Sequence, residues 1–395
     1  MRIKNISLSI LLIFIIISCD VDVEIGTSKD DNVQQILKNV KQQLVPDKRD
    51  HIFEIDVTNQ DNKFTLSGFS DFPLAVKTLL DSLKTKQVNF ENKIQMLPIE
   101  KYKNIMGITR LSVANLRSKP KHSAELVTQT LMGMPIVPLQ EKNGFIRVKT
   151  PENYYAWVDK AGIELVDKSK YNTWLKNEKI IITSNYGQSH QTENQQSEVI
   201  SDYVLNDVFS VLKTVNNYYQ VLYPDGRKGF ISKNNALTLQ EFNDKNKLVE
   251  GQKVINKAKR LLGTPYLWGG TSSKAVDCSG FTKTVYASFG YNLPRDASQQ
   301  AKIGKEIKVD KTDFSQLKPG DLLFFGRMKN GKPKITHVAF HIGNGKIIHA
   351  TGEVKIESLN PNDKDFNQAR YDSWLMARRI INHYPKEFSG FYTKQ

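Results

Sequence analysis

The chain has 395 residues, too many for one ordinary hydrophobic core, so its length predicts two to four domains. Hydrophobic residues make up 39% of the chain and charged residues 25%, which is usual for a soluble globular protein and excludes a mostly disordered or membrane-embedded chain. The net charge of +15 would attract polyanions, but no dense block of Lys and Arg with interleaved aromatic residues occurs, so we interpret the charge as a diffuse, solvated surface.

The N-terminus has the pattern of an export signal. After a short basic start, the apolar run over residues 6–18 is too short to span a bilayer, which needs about 20 residues. The run ends in Ile16-Ile17-Ser18-Cys19, which resembles a bacterial lipobox and implies removal of residues 1–18 and a lipid on the Cys19 thiol. We expect a membrane-anchored lipoprotein facing the periplasm or cell envelope, with a tether over 19–32 and no nucleic-acid partner. The alternatives are an ordinary signal peptide with a chance cysteine and a short transmembrane anchor.

Residues 33–103 are predicted to form a small α+β unit. Apolar residues recur at helical spacing over 33–44 and 74–83, and the stretches 52–57 and 64–69 between them have the pattern of strands. The sequence assigns no role to this unit.

An internal repeat follows. Residues 125–165 align without a gap on residues 198–238, an offset of 73 residues. Each copy has the pattern of several short strands separated by turn signals. The repeat predicts two small β-barrels, at 104–166 and 178–241.

The first copy carries the pattern Asn115-Leu116-Arg117, then Gly133, then Ala156-Trp157-Val158, which resembles bacterial SH3 domains. The two copies have low sequence identity. The evidence for an internal repeat is therefore stronger than the evidence for this particular family. The charged segments 167–177 and 242–250 are expected to be linkers.

The last predicted domain, residues 251–395, carries the candidate chemistry. The chain has only two cysteines, and if Cys19 carries a lipid, Cys278 has no disulfide partner. A lone thiol in an exported protein is a candidate nucleophile, with a buried inert cysteine as the alternative. Apolar spacing predicts that a helix begins at Cys278, and the N–H groups of a helix N-terminus would favour the thiolate and stabilise an oxyanion.

A cysteine nucleophile needs an imidazole as proton carrier and a third group that orients the imidazole. His337 and His349 lie on two successive predicted strands and are the natural pair. His341 shares a face with His337 and most simply lines the sheet, with metal binding or a second base as the alternatives. No carboxylate or cysteine cluster has the spacing of a zinc site, so we expect neither a metal nor another cofactor.

The loop between the two strands decides whether the imidazoles meet. A two-residue loop at Asn344-Gly345 would place His337 and His349 on opposite faces of the sheet. A three-residue loop at 343–345 with a bulge would pair Ala339 with His349 and bring both imidazoles to one face. We therefore predict the bulged, three-residue loop.

Several motifs over residues 255–380 closely resemble NlpC/P60 peptidases. They are Tyr266-Leu267-Trp268-Gly269-Gly270, Asp277-Cys278-Ser279-Gly280-Phe281, Leu293-Pro294-Arg295-Asp296, Leu317-Lys318-Pro319-Gly320-Asp321-Leu322 and the two histidine strands. The resemblance implies a papain-like α+β fold with permuted chain order. It implies Cys278 as the nucleophile, His337 as the general base and acid, and His349 as the orienting residue.

The resemblance also implies a substrate cleft. The matching positions are Tyr266, Asp277, Ser279, Arg295, Asp296 and Ser298. Structural alternatives are a buried phenol for Tyr266, a helix cap for Asp277 and a surface ion pair for Arg295. Residue 297 is alanine, where relatives often have a hydroxyl group.

The order of signal, SH3 pair and catalytic domain resembles the subgroup that cuts wall stem peptides between γ-D-glutamate and the diamino acid. In that subgroup the first SH3 module helps close the cleft and selects peptides with a free N-terminal L-alanine. Glu125 and Tyr155 match positions that would hold the amine, and a carboxylate is suited to an ammonium group. The alternative is an exposed strand carboxylate and a surface tyrosine.

The sequence thus predicts a multidomain chain: a small α+β N-terminal unit, two SH3-like β-barrels and a C-terminal α+β papain-like catalytic domain. We expect a monomeric cysteine peptidase that acts on peptidoglycan stem peptides. The alternatives are an amidase or acyltransferase on the same fold, or a non-catalytic wall-binding lipoprotein. The sequence leaves open whether the diamino acid is lysine or diaminopimelate, and whether polymeric wall or free peptides are cut.

Overall fold

The computed structural model describes residues 29–308, 310–387 and 389–392. The predicted signal segment, Cys19 and the first part of the predicted tether lie outside the described residues. Within the described ranges, no helix is both long and apolar enough to cross a membrane. The tether prediction is wrong from Lys29 onward, because a helix begins there.

Two helices and a three-stranded sheet form the N-terminal unit. The elements are α1 (Lys29–Leu44), β1 (Phe53–Gln60), β2 (Lys63–Ser70), α2 (Pro73–Thr85) and β3 (Phe90–Met96). Strand β2 pairs antiparallel with β1 and parallel with β3, and both helices pack on an apolar core that includes Phe64, Leu66 and Leu79. The sequence analysis did not predict strand β3. Its side chains are mostly polar and partly exposed, so they give no clear hydrophobic alternation.

Two seven-stranded sheets follow with the same topology. The first contains β4 (Ile105–Thr109), β5 (Val113–Arg117), β6 (Leu126–Leu131), β7 (Pro135–Lys142), β8 (Phe145–Lys149), β9 (Tyr155–Asp159) and β10 (Ile163–Asp167). The second contains β11 (Lys179–Ile182), β12 (Tyr186–His190), β13 (Val199–Val204), β14 (Val208–Val215), β15 (Tyr218–Leu222), β16 (Lys228–Ser232) and β17 (Ala236–Thr238). Strands β5 to β9 lie 73 residues before β12 to β16, and the strand orders coincide. The sequence repeat is therefore also a repeat of strand positions.

The turn after β6 joins the two barrels. The side chain of Met132 is fully buried in the core of the second barrel. The N–H of Met132 donates to Oδ1 of the buried Asp207 at 3.1 Å, and Oδ2 of Asp207 accepts from the N–H of Val204 at 2.8 Å. These contacts hold the barrels in one arrangement, which matters because the first barrel also borders the catalytic domain.

The two segments predicted as linkers are partly helical, which corrects that prediction. Helix α3 (Lys168–Lys176) fills most of the first segment, whereas α4 (Leu239–Lys245) begins before the second segment and covers only its first residues. Each helix begins at a side-chain cap: Asp167 accepts from the N–H of Lys170, and Thr238 forms a capping box with Glu241. Each helix also buries an aromatic side chain against a barrel, because Trp174 and Phe242 are almost fully enclosed.

The C-terminal domain is an α+β unit. Its elements are α5 (Gly251–Lys259), β18 (Thr271–Ser272), β19 (Ala275–Val276), α6 (Cys278–Ala287), α7 (Ala297–Gln300), β20 (Lys305–Ile307), β21 (Leu322–Lys329), β22 (Lys332–Gly343), β23 (Lys346–Thr351), β24 (Glu353–Ser358), α8 (Gln368–Ser373) and β25 (Trp374–Arg379). Six of these strands form one sheet in the order β20-β25-β21-β22-β23-β24. Helix α6 packs on β22 through Phe281 and Phe340, whose ring centres lie 5.5 Å apart. This packing places the start of α6 beside the histidine strand.

The hairpin that carries both histidines differs from the predicted loop. Asn344 and Gly345 have positive φ values of 52° and 72°, and strand pairing resumes directly on either side, so the loop has two residues. The bulge lies upstream instead, at Ile342. Because the bulge compensates for the shorter loop, Phe340 pairs with Ile348, and the predicted register at the histidines is correct.

Candidate active site

The position of Cys278 is set by the start of helix α6. Asp277 is the N-cap, and its Oδ1 accepts from the N–H of Gly280 at 2.7 Å. A Cβ atom on Gly280 would lie 1.9 Å from the carbonyl oxygen of Gly270, so only glycine lets the helix approach the preceding loop this closely. The thiol of Cys278 is therefore held beside that loop, with 9% of the residue exposed.

Asp277 also anchors a buried ion pair. Nη2 of Arg295 lies 2.5 Å from Oδ2 of Asp277, and Nη1 donates to Oγ of Ser279 at 2.9 Å. The N–H of Gly269 donates to the same Oδ2 at 3.0 Å. The helix-cap alternative thus holds for Asp277, whereas the surface ion pair is wrong for Arg295, because Arg295 is only 2% exposed.

His337 and His349 are in direct contact, as their shared face predicts. Nε2 of His337 lies 2.7 Å from Nδ1 of His349. Burial lowers the pKa of both imidazoles, and for His337 the pKa falls well below its ordinary value of 6.5. Both imidazoles are therefore neutral at pH 7.

Glu357 is a member of this group that the sequence analysis missed. Its Oε2 lies 2.9 Å from Nε2 of His349 and accepts from Nδ2 of Asn367 at 2.8 Å. The hydrogen bond from His349 lowers the pKa of Glu357 to about 2. His349 pairs with Lys355 across β23 and β24, so Glu357 is a diagonal neighbour on the same face. Continuing the hairpin register by one strand would have found it.

Glu357, His349 and His337 form a hydrogen-bonded relay, and its hydrogen bonds show which ring nitrogen atoms carry protons. The ionised Glu357 carboxylate can only accept, so Nε2 of His349 carries a proton and Nδ1 of the neutral ring accepts. His337 then donates from Nε2, which leaves its Nδ1 unprotonated and able to take a proton. The backbone N–H of Val338, the next residue, hydrogen-bonds to Cys278, so the thiol lies against this part of β22.

The protonation state of the Cys278 thiol differs from the sequence-based expectation. Burial, reinforced by the charge of Asp277, raises the pKa of Cys278 to about 11. The N–H groups of Val338 and Ser279 and the charge of Arg295 act in the opposite direction but are outweighed. The resting site therefore holds a neutral thiol and a neutral imidazole, not a thiolate stabilised by the helix N-terminus.

A cavity of about 440 Å³ opens beside Cys278, a size within the usual range of ligand sites. Of the predicted substrate-binding residues, those that line it are Glu125, Tyr266, Asp277, Ser279, Arg295, Asp296 and Ser298. The lining also contains residues that the sequence analysis did not select, namely Arg49, Val127, Tyr154, Trp268, Ala297, Ile335 and Thr336. Three parts of the chain thus form one cleft: the N-terminal unit, the first barrel and the catalytic domain.

Tyr155 corrects one prediction. Its hydroxyl donates to Oδ2 of Asp71 in the N-terminal unit, away from the cavity beside Cys278. Its neighbour Tyr154 lines the cavity instead. Because side chains alternate along a strand, an error of one residue exchanges the faces.

Glu125 is fixed at the border between the first barrel and the catalytic domain. Its Oε1 accepts from Nε1 of Trp268 at 2.8 Å. A Cβ atom on the next residue, Gly269, would lie 2.5 Å from the carbonyl oxygen of Leu126, so glycine permits this close docking. The carboxylate of Glu125 is thereby held at the cavity wall by a contact across the domain border.

His341 lies apart from this chemistry. Its Nδ1 is 3.3 Å from the carbonyl oxygen of Lys318, and burial lowers its pKa. Among the residues that the structure describes, no group of three or more His, Cys, Asp and Glu side chains could hold a metal ion. The structural alternative for His341, lining the sheet, accounts for these contacts.

Comparisons with known proteins find matches for two regions of the chain. The model of the NlpC/P60 family matches residues 263–373, and that of the bacterial SH3 domain matches residues 112–164. A gamma-D-glutamyl-L-lysine dipeptidyl-peptidase of Bacillus cereus is 32% identical over 252 residues, which cover 60% of this chain and 71% of that protein. The chain belongs to the NlpC/P60 family. The SH3 match covers the first barrel, and the SH3 name for the second rests on the repeat and stays a prediction.

Two further relatives extend the likeness beyond the catalytic domain. Dipeptidyl-peptidase 6 of Lysinibacillus sphaericus is 27% identical over 262 residues, 63% of this chain and 89% of that protein. A crystal structure of a Bacillus cereus NlpC/P60 family protein superposes with a TM-score of 0.59 at 25% identity, covering 70% of this chain and 99% of that one. This NlpC/P60 protein is accordingly a hydrolase with a bacterial SH3 domain.

Replacing Glu357 tests the relay in this NlpC/P60 protein. We expect Glu357→Gln to lower kcat about 10- to 100-fold with little change in KM, because His349 loses the charged acceptor that fixes its tautomer. Burial lowers the pKa of both imidazoles, and the charge of Glu357 partly offsets this lowering. Without that charge both pKa values fall further, so the acid limb of the pH–rate profile should also move to lower pH. Steady-state kinetics on a γ-D-glutamyl-L-lysine peptide measures both effects.

Glu353→Gln is the matched control, since Glu353 is an exposed carboxylate on the same strand, β24. It should leave kcat and the acid limb unchanged. A normal kcat for Glu357→Gln, or an unmoved acid limb, would contradict the role of Glu357 in the relay.

The protonation state of Cys278 can be tested by alkylation. Iodoacetamide reacts with the thiolate, and the pKa of Cys278 is about 11, so the rate should rise about tenfold per pH unit from pH 5 to pH 8 without a plateau. Mass spectrometry of the peptide that contains Cys278 follows the reaction without interference from Cys19. A fast, pH-independent rate over this range would reveal a preformed thiolate–imidazolium pair instead.

Proposed function

We propose that the protein is a cysteine peptidase that hydrolyses the bond between γ-D-glutamate and the diamino acid of cell-wall stem peptides. The observation that carries the proposal is the cavity beside Cys278, backed by the relay of the buried His337 and His349 with the half-buried Glu357. Two relatives are named gamma-D-glutamyl-L-lysine dipeptidyl-peptidase, which supports this reaction over other acyl transfers on the fold.

The reaction begins from the neutral thiol. Nδ1 of His337 takes the proton of Cys278 as the sulfur attacks the γ-carbonyl carbon of D-glutamate. The N–H of Ser279 and the phenol of Tyr266 supply donors for the oxyanion. Burial raises the pKa of Tyr266 to about 12, so the phenol keeps the proton that it donates.

The relay then returns the proton. Protonated His337 gives its proton to the leaving α-amine of the diamino acid as the C–N bond breaks and a thioester remains on Cys278. Water attacks the thioester, loses its proton to His337, and releases the peptide that ends in γ-D-glutamate together with the restored thiol. The carboxylate of Glu357 stabilises the positive charge that His337 carries between these steps.

Two sets of residues are assigned to the substrate on its amine side. Glu125, with the phenol of Tyr154 in the place predicted for Tyr155, binds the ammonium group of a free N-terminal L-alanine. Arg295 lines the same cavity, and its Nε–H is buried without a hydrogen-bond partner among the described residues. We assign this N–H to the α-carboxylate of γ-D-glutamate, since a buried donor needs an acceptor.

Export and lipid attachment belong to the proposal. They are supported by the sequence of residues 1–19 alone: the short apolar run and the motif that ends in Cys19. Both fit the substrate, because the bacterial wall lies outside the cytoplasmic membrane.

The test compares L-Ala-γ-D-Glu-L-Lys with its N-acetylated form, using mass spectrometry of the products. We expect the wild type to release L-Ala-D-Glu from the free-amine peptide, and Cys278→Ala to be inactive. Glu125→Gln should raise KM for the free-amine peptide about 10-fold or more with little change in kcat, because the ammonium loses its charged acceptor. The matched control is Glu198→Gln, the exposed counterpart of Glu125 in the second barrel, which should behave as wild type.

Each outcome bears on a different part of the proposal. Equal cleavage of both peptides by the wild type would retain the peptidase and reject the amine site. Cleavage by Cys278→Ala would reject the nucleophile. No cleavage of the lysine peptides or of their diaminopimelate counterparts would favour a wall-binding protein.

A further inference from the structure

The N-terminal unit reaches into the cleft through one side chain. Arg49 lies in the loop between α1 and β1 and lines the cavity beside Cys278. Its Nη1 donates to Oδ2 of Asp296 at 2.7 Å and to Oγ of Ser298 at 3.0 Å. The contact therefore joins two residues of the predicted cleft loop to a unit that lies about 250 residues earlier in the chain.

Arg49 is fixed before it meets the cleft. Its Nε and Nη2 donate to the two oxygens of Asp47, at 2.9 and 2.6 Å, a paired geometry that orients the guanidinium plane. This pairing lowers the pKa of Asp47 to about 2, so the carboxylate stays charged. The guanidinium is therefore a preorganised group and not a mobile surface cation.

The N-terminal unit is itself docked firmly on the first barrel. Arg147 of the barrel forms two hydrogen bonds to Glu54, at 2.8 and 2.6 Å. Ile52 and Leu97 bury apolar surface against Leu139 of the barrel. The loop that carries Arg49 is thus held at a fixed place at the edge of the cavity.

The charges of the cleft indicate what Arg49 does. Arg295 is balanced by Asp277, and Arg49 is balanced by Asp47, so each pair is neutral as a whole. The carboxylates of Glu125 and Asp296 remain as the unbalanced charges among the residues named. Arg49 can therefore position Asp296 without cancelling its negative charge, and both carboxylates favour a cationic group in the cavity.

We propose that Arg49 is a specificity-determining residue: it positions Asp296 as a second carboxylate for the substrate's ammonium group and closes the cleft beyond that group. The inference rests on the proposed function, and it gives the N-terminal unit the role of an end wall. A substrate with a free N-terminal amine ends at this wall, and its ammonium group contacts Glu125 and Asp296. An N-acylated peptide lacks the charge and extends toward Arg49, so it is excluded.

The experiment measures kcat and KM of wild type, Arg49→Ala and Arg49→Lys on L-Ala-γ-D-Glu-L-Lys and its N-acetylated form. We expect Arg49→Ala to raise KM for the free-amine peptide about 10-fold with kcat changed less than about 2-fold, since the reacting groups are untouched. The ratio of kcat/KM between the two peptides should fall by the same factor or more. Arg49→Lys should be intermediate, because a lysine keeps the charge but cannot bridge Asp47 and Asp296 in the same geometry.

Arg147→Ala is the matched control. It removes another cation that holds the N-terminal unit in place, through Glu54, without contacting Asp296. It should leave KM and the peptide ratio at the wild-type values. An equal change in Arg147→Ala and Arg49→Ala would overturn the inference, because docking in general would then be responsible.

The result for wild type separates the two proposals. If wild type cuts the free-amine peptide alone and Arg49→Ala discriminates equally well, this inference fails while the proposed function stands. If wild type cuts neither peptide and neither of their diaminopimelate counterparts, the proposed function fails and this inference fails with it.

Discussion

The cleft depends on one buried carboxylate, that of Asp277. It caps the first turn of α6, accepts the N–H of Gly269 from the preceding loop and pairs with Arg295 from the segment before α7. Removing one partner of a buried ion pair costs about 3–5 kcal/mol, so the three segments take their places together. Burial raises the pKa of the adjacent Cys278 thiol, and the charge of Asp277 adds to this effect. In the proposed mechanism, the group that positions Cys278 therefore also helps to keep its thiol protonated, and His337 removes that proton during attack.

The remaining walls of the cleft come from units outside the catalytic domain. The first barrel contributes Glu125 and Tyr154, and the contact of Glu125 with Trp268 crosses the domain border. Thr271 on β18 exchanges three hydrogen bonds with Gln129 on β6, which fixes the same border a few residues further along. The residues proposed for the chemistry thus belong to one domain, whereas the walls of the cleft come from several. Such a division lets one catalytic core serve different peptides by changing the units around it.

The sequence predicted the parts of the site that follow from local chemistry. The helix start at Cys278 follows from the local apolar pattern, and the 73-residue offset predicted corresponding strands in both barrels. The requirement that both imidazoles share one face gave the correct register of the histidine hairpin, although the predicted turn was wrong. Prediction failed where a shift of one residue along a strand, or a contact between docked units, determines whether a side chain reaches the cavity. Tyr155 turns away from the cavity and Tyr154 faces it. Glu357 enters through a further strand, and Arg49 reaches the cleft only because two units dock, which no local pattern records.

The central claim is that one cleft, built by three units, holds a wall peptide by its free amine with the γ-glutamyl carbonyl at Cys278. A crystal structure of the Cys278→Ser variant with L-Ala-γ-D-Glu-L-Lys tests this most directly. The account predicts the alanine ammonium group within hydrogen-bond distance of Glu125, and the γ-carbonyl carbon next to the oxygen of residue 278. A peptide bound in the reverse direction, or with its amine in solvent away from Glu125 and Asp296, would contradict it.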